Sequence, residues 1–233
     1  MVPLLIWAKS LERKRNKMDD LKKALRHKAL QVRGALSPEE RESANQRITE
    51  LFVQSEMYQN CKSLLLYASY GSEADTYAIF EQALMDEKQV FFPKVVGMNL
   101  IFYQVHSKEN LKPGYRGIPE PDEVAGSDSL SFGKQLGQIW SPVMAQDTLL
   151  VYPGVAFDRN HNRLGYGKGF YDRFTARCRA AGQVPENLAL AYACQIVDAI
   201  PVQEQDEKPN RILTENGFVY HGTINRYSHR ACK

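Results

Sequence analysis

Ser63-Leu64-Leu65-Leu66-Tyr67-Ala68 is a continuous apolar run, the pattern of a strand covered on both faces of a sheet. The turn-forming stretch Ser69-Tyr70-Gly71-Ser72-Glu73 follows it. Asp75 or Thr76 then starts a helix through Met85, and Gln89 to Phe92 is a second strand, closed by Pro93. Strand, loop, helix, strand predicts a right-handed βαβ unit. Leu100 to Val105 predicts a further strand, paired as a hairpin across Gly97-Met98-Asn99. Thr148 to Tyr152 and Leu188 to Ala193 repeat the buried-strand pattern, with a helix from about Gly169 to Ala181 between them. A short strand is expected near Phe218 to Tyr220. Strands alternating with helices predict an α/β fold.

Two helices precede this unit. Asp19 or Asp20 caps the first, which runs to about Arg33 with Leu21, Leu25 and Ala29 as its apolar stripe. Lys22 and Arg26 are four residues apart, so they share a face and reach one anion. Ser37-Pro38-Glu39-Glu40 starts the second helix with an N-cap, a proline at the first helical position and a capping box. Ala44, Ile48, Leu51 and Phe52 form its buried face. From His106 to Gly137 the pattern weakens into a long loop rich in Gly, Pro, Ser and acids.

The 233 residues carry 43% apolar and 24% charged residues, close to globular averages, which excludes a disordered tail or a collagen-like fibre. No apolar run reaches the roughly 18 residues of a membrane span, so a soluble chain is expected. Thirty basic against 27 acidic residues give +3, with the excess near both ends. The basic first helix reads as a solvated face or as a binder of phosphate or nucleic acid. The four cysteines form no C-x-x-C pair and no secretory signal accompanies them, so a reduced, cytoplasmic chain is expected. The five histidines are scattered, and the His221, His229, Cys232 spacing fits no standard zinc pattern.

Gly165-x-Gly167-x-Gly169 lies between a strand and a helix. Alternating glycines leave backbone N–H groups open to an anion, and the following helix offers its positive end. Lys168 adds a movable charge and Arg163 stands at the entrance. The segment reads as a phosphate cradle or a tight structural turn. It matches neither the P-loop nor the dinucleotide spacing. Asp172 caps the helix or holds Mg²⁺. Asp206 and Glu204 are further candidate carboxylates. Glu73 stands past a strand end, where open α/β sheets bind ligands, or is a solvated loop acid. Tyr70, Tyr166, Phe170 and Tyr171 stack on a flat heterocycle or belong to the core. No nucleophile with a matched base stands out, so positioning chemistry such as phosphoryl transfer is favoured over covalent catalysis.

Tyr152-Pro153-Gly154-Val155-Ala156-Phe157-Asp158, followed by Arg163-Leu164-Gly165-Tyr166-Gly167-Lys168-Gly169-Phe170-Tyr171-Asp172-Arg173, resembles the signature of the 5-formyltetrahydrofolate cyclo-ligase (5,10-methenyltetrahydrofolate synthetase) family. Lys22-x-x-x-Arg26, Arg33, Ser37 to Arg41, Ser72-Glu73 and Gly117-Ile118-Pro119-Glu120-Pro121 fall in the family's order. The likeness spans about residues 19–220.

The resemblance implies a single three-layer α/β/α domain with a mostly parallel sheet, similar to the sugar-phosphate isomerase and CoA-transferase group. It places this domain at 18–225, with an N-terminal extension at 1–17 outside the fold and a short basic tail at 226–233. It implies ATP- and Mg²⁺-dependent conversion of 5-formyltetrahydrofolate to 5,10-methenyltetrahydrofolate, releasing ADP and phosphate. The formyl oxygen is phosphorylated and N10 closes the ring. By the same resemblance, Lys22, Arg26 and Lys168 are catalytic. Lys22, Arg26 and the segment Arg163, Leu164, Gly165, Tyr166, Gly167, Lys168, Gly169, Phe170, Tyr171 hold ATP. Glu73 and Tyr166 to Phe170 border the folate, and Asp172 and Asp206 serve Mg²⁺. The expected partner is a small folate, possibly polyglutamylated, with no nucleic acid or membrane, and the protein is expected to be a monomer. Two positions depart from the family pattern. Asn210 and Arg211 stand where a further Asp and an acidic neighbour are common, and Tyr166 stands where some members have Arg. The competing readings are a sugar-phosphate or CoA-ester enzyme without ATP, and a non-enzymatic nucleotide or RNA binder of similar fold.

Overall fold

A computed structural model describes residues 2–122, 138–204 and 206–221, with backbone alone over residues 2–15. The basic tail, His229, Cys232 and part of the long loop lie outside the described residues.

The first helix, α1 (Val2–Gly34), is continuous through Asp19 and Asp20, which therefore cap nothing. Between Pro3 and Gly34 the sequence has no proline or glycine, and Lys, Arg, Glu and Leu are strong helix formers. Of the expected apolar stripe, Leu25 and Ala29 pack inward against Val155, Ala156, Leu164 and Ile200, and only Leu21 does not. Leu21 is 50% exposed, whereas Lys22, Ala29 and Arg33 are buried. α2 (Pro38–Val53) starts as its sequence predicts. The Ser37 hydroxyl accepts from Glu40 N at 3.1 Å, and the Glu40 carboxylate accepts from Ser37 N at 2.8 Å. A short α3 (Glu56–Asn60), capped by Ser55, was not anticipated.

The sheet-forming segments are β1 (Ser63–Leu65), β2 (Gln89–Val96) and β3 (Asn99–Gln104), with α4 (Tyr77–Met85) between the first two. Further along come β4 (Leu111–Pro113), β5 (Pro119–Pro121), β6 (Thr148–Tyr152), β7 (Ala156–Asp158) and β8 (Arg163–Leu164). Then follow α5 (Phe170–Ala180), β9 (Glu186–Leu190), β10 (Ile196–Val197), β11 (Arg211–Thr214) and β12 (Gly217–Phe218). The main sheet has the order β12-β11-β9-β6-β1-β2-β3. Its pairings from β11 across to β2 are parallel, and both edge pairings are antiparallel. Pro93 does not close β2. It pairs with Phe102 of β3 beyond the last residue of β1, where its missing N–H breaks no ladder bond to that neighbour.

Each central strand alternates between two cores. Leu64, Leu149, Val151, Leu188 and Leu190 face one cluster, which includes Ile48 and Phe52 of α2 and Ile79 and Phe80 of α4. Leu65, Leu150, Tyr152 and Ala189 face the other, with Phe174 and Cys178 of α5. Both faces are covered, which is why the strands read as unbroken apolar runs. This is a mixed α/β architecture with helices on both sides of a mostly parallel sheet. After β1 the chain crosses through α4 to β2, on one side of β1. After β6 it crosses through α5 to β9, in the opposite direction and on the other face. The order thus reverses between β1 and β6, and a crevice opens beyond their carboxyl ends. Among the described residues, no helix is long and apolar enough to cross a membrane.

Candidate active site

A cavity of about 660 Å³ fills this crevice. Tyr67 and Ala68, just past β1, and Pro153, just past β6, form its floor. One wall is α1. Its residues 22, 26 and 33 recur at helical spacing and bring basic groups to the inward face beside the apolar Leu25 and Ala29. The Lys22 ammonium donates to Asp206 Oδ2 at 2.5 Å and to Gln203 Oε1 at 3.3 Å. Arg26 Nε donates to the Gly165 carbonyl at 2.8 Å. Burial lowers the Arg26 pKa from the ordinary arginine value, with Asp19 and Asp206 acting in the opposite sense.

The opposite wall is the glycine loop. Gly167 and Gly169 have φ of 86° and 64°, the left-handed region that disfavours side chains. Gly165 is bare for a different reason: a Cβ there would lie 2.9 Å from Arg163 Nη1. Gly169 is the N-cap of α5 and provides no capping side chain, so the helix start remains open at the cavity. Lys168 lines the cavity, is exposed, and makes no hydrogen bond or ion pair among the described residues. Arg163 is buried and donates from Nη2 to Asp172 Oδ1 at 2.6 Å. Its Nε is buried without a partner.

Asp172 and Asp206 approach the cavity from α5 and from the segment before β11. Asp172 Oδ1 also accepts from Glu207 N at 3.2 Å, and Asp206 Oδ2 from Gln203 N at 2.8 Å. On each carboxylate the bonds converge on one oxygen, leaving the other for a hard cation. This donor set fits Mg²⁺, which takes one or two carboxylates together with phosphate oxygens and water. No group of three or more His, Cys, Asp or Glu gathers among the described residues, so here the two carboxylates would hold a cation only together with phosphate oxygens and water. Glu204 is exposed and does not line the cavity. Asn210 does not line it either. It joins the starts of β9 and β11, donating from its N–H to Asn187 Oδ1 at 2.8 Å and accepting from Asn187 N at 3.2 Å.

Toward β2 and β3 the cavity turns apolar, with Pro93, Val95, Leu100, Ile118 and Phe170. Tyr115 meets Phe170 edge-on, with ring centroids 5.7 Å apart. Glu73 stands at the junction of the polar and apolar ends. Its Oε1 accepts from the Tyr166 hydroxyl at 2.6 Å and its Oε2 from Tyr70 N at 3.0 Å. Burial raises the Glu73 pKa above the ordinary carboxylate range, while Tyr166, the Tyr70 N–H and Arg33 oppose that rise.

Every residue to which the family resemblance gives a role lines this one cavity, whereas the candidates Glu204 and Tyr70 do not. Tyr171 lines it while also packing into the core against Tyr152 and Phe102. Tyr70 reaches the site through its backbone alone and its ring is 52% exposed. Sequence reasoning missed Gln203, Tyr115, Glu120 and the part played by Arg33. The signal for Arg33 was present, because it lies eleven residues, three helical turns, beyond Lys22. Glu120 was visible as an acid between two prolines. Nothing local marks Tyr115 or Gln203.

A model of the 5-formyltetrahydrofolate cyclo-ligase family matches residues 18–215. The Mus musculus 5-formyltetrahydrofolate cyclo-ligase is 32% identical over 205 residues, spanning 85% of this chain and 96% of its own length. The Escherichia coli K12 protein of the same name is 29% identical over 179 residues, 76% of this chain and 90% of its own. The NMR structure of Aquifex aeolicus 5,10-methenyltetrahydrofolate synthetase superposes with a TM-score of 0.68 at 28% identity, covering 90% of this chain and all of that one. The Mycoplasma pneumoniae 5,10-methenyltetrahydrofolate synthetase, at 24% identity and a TM-score of 0.61, shares the fold. A basic helix face, a glycine loop and a partly buried acid thus meet at one crevice, within a stretch that the family model spans almost end to end, and this chain belongs to the 5-formyltetrahydrofolate cyclo-ligase family.

Proposed function

We propose that this enzyme uses ATP and Mg²⁺ to drive its family's reaction, the closure of 5-formyltetrahydrofolate to 5,10-methenyltetrahydrofolate. The supporting observation is the continuity of the cavity: anion-binding and apolar sectors share one volume, with Glu73 between them. ATP would supply the phosphoryl group that makes the formyl oxygen a leaving group, with Mg²⁺ screening phosphate charge. Lys22 and Arg26 hold the polyphosphate from α1, and the bare backbone of Gly165 to Gly169 closes on it from the other side. Lys168, free to swing, follows charge as it develops on the transferred group. Asp172 and Asp206 each offer one oxygen to the metal. Glu73 accepts hydrogen bonds from the folate ring system, and the Pro93, Val95, Ile118 and Phe170 sector keeps water from the reacting carbon. A sugar-phosphate or CoA-ester enzyme working without ATP would leave the paired Lys22 and Arg26 without a role.

The test is an absorbance assay of the purified protein with 5-formyltetrahydrofolate and Mg²⁺, with and without ATP. ATP-dependent growth of the near-ultraviolet methenyl band is expected. Equal growth without ATP, or a flat trace from folded protein, overturns the reading.

A further inference from the structure

Arg33 sits at the last turn of α1, 3% exposed, and joins three loops that meet above the sheet. Its Nε donates to Ser72 Oγ at 3.0 Å, Nη1 to the Gly154 carbonyl at 3.2 Å and Nη2 to the Tyr166 hydroxyl at 3.0 Å. These acceptors belong to the loop after β1, the turn after β6 and the glycine loop. We propose that Arg33 is a positioning residue: by donating to the Tyr166 hydroxyl it directs that group's proton onto Glu73, and so keeps Glu73 an acceptor for the folate.

The argument is one of proton count. A guanidinium carries donors only, so the Tyr166 oxygen must accept from Nη2. A phenol has one proton, and the 2.6 Å contact to Glu73 Oε1 is where it goes. With Tyr70 N on Oε2, both carboxylate oxygens accept, an arrangement that favours the charged form. Burial pushes the other way.

The direct charge of Arg33 is the smallest of the three effects that oppose burial at Glu73, and its weight in the relay comes through the Tyr166 proton. Tyr67 past β1 and Tyr171 of α5 are driven upward by burial, and so is Tyr77 of α4. Tyr192, whose hydroxyl lies 3.3 Å from the Glu73 carbonyl, is pushed up to about 12 by burial. These phenols stay neutral throughout the range in which a carboxyl titrates. Arg41 of α2 and Asp75 face the same residue from a separate hollow and carry opposite charges. Without Arg33, the Tyr166 hydroxyl is released to turn either way, and the carboxyl loses its favourable charge. Its folded pKa then rises, and substrate recognition is lost at a higher pH on the acidic side, where Glu73 takes up a proton.

The inference rests on the folate reading for the role of Glu73, but the relay itself has an independent readout. The experiment compares wild type, Arg33→Met, Arg33→Lys and Tyr166→Phe by kcat/KM for 5-formyltetrahydrofolate against pH. In parallel, ¹³C NMR titrates the Glu73 side-chain carboxyl in the ligand-free protein, assigned with Glu73→Gln. The acidic limb is expected to move up by about one pH unit, a tenfold loss below it, in Arg33→Met and Tyr166→Phe. A smaller move is expected in Arg33→Lys, and the NMR midpoint moves with the limb. Should Arg33→Met fail to fold, Tyr166→Phe carries the test, since that ring is 48% exposed. An unmoved limb and midpoint, with only a uniform fall in rate or in Tm, overturns the relay and leaves Arg33 a structural tie. Absence of turnover in the wild type would instead fail the folate reading, while the NMR titration would still decide the relay.

Discussion

α2 and α1 are both helices with one face turned inward, yet what they turn inward differs in kind. α2 presents Ala44, Ile48 and Phe52, four residues apart and all buried. α1 presents Lys22, Arg26 and Arg33 at helical spacing, beside Leu25 and Ala29. The first face is held by the hydrophobic effect. The second adds to the packing of Leu25 and Ala29 directed bonds to Asp206, Gln203, Gly165, Gly154, Ser72 and Tyr166, four of which border the cavity. A protein places three cations on a packed helix face at a cost in desolvation, and that cost marks the face as the working one.

This contrast predicts a separation of effects. Phe52→Ala should remove about 3–5 kcal/mol of stability, seen as an earlier midpoint in urea, while the molecules that remain folded bind nucleotide as before. Lys22→Met keeps the aliphatic stem and should destabilise less than Phe52→Ala. ATP affinity measured by calorimetry with Mg²⁺ should nevertheless fall at least tenfold, about 1.4 kcal/mol. Equal destabilisation with unchanged affinity would make α1 an ordinary core helix. The smallest effect belongs to Leu21→Ser, which should change stability by less than about 0.5 kcal/mol and leave ATP affinity alone. A drop of several kcal/mol there would restore Leu21 to the inward stripe.

Leu21 also shows where the sequence misleads. A periodic stripe of Leu21, Leu25 and Ala29 is the ordinary sign of a buried face, and hydropathy alone selects it. The chain keeps Leu25 and Ala29 inward but turns in Lys22 and Arg33 in place of Leu21, because their partners are carbonyls, hydroxyls and a carboxylate on remote loops, invisible to any local window. By contrast, the central strands were legible, since Thr148 to Tyr152 is buried residue by residue. So was the start of α2, because a capping box is a local device. Short β7, β8 and β10 were not, since pairing over two or three residues leaves no period to read. The Gly165 to Gly169 loop announced itself by composition. Gln203 and Tyr115 reach the cavity from segments with no pattern at all, brought there by tertiary structure alone.

One property of the Lys22 contacts bears on how the molecule is made. Lys22 meets Asp206 across 184 positions and Gln203 across 181, and Arg26 meets Gly165 across 139. Arg26 and Arg33 find their partners by residue 166, whereas Lys22 waits for residues 203 to 206. Closing so long a span is entropically dear and comes late, after the β1–α4–β2 unit has local contacts to build on. A nascent chain halted before residue 200 has a synthesised α1 but no acidic partner for Lys22. Nucleotide protection during synthesis should accordingly appear as a late, single step, once residues 203 to 206 have been added.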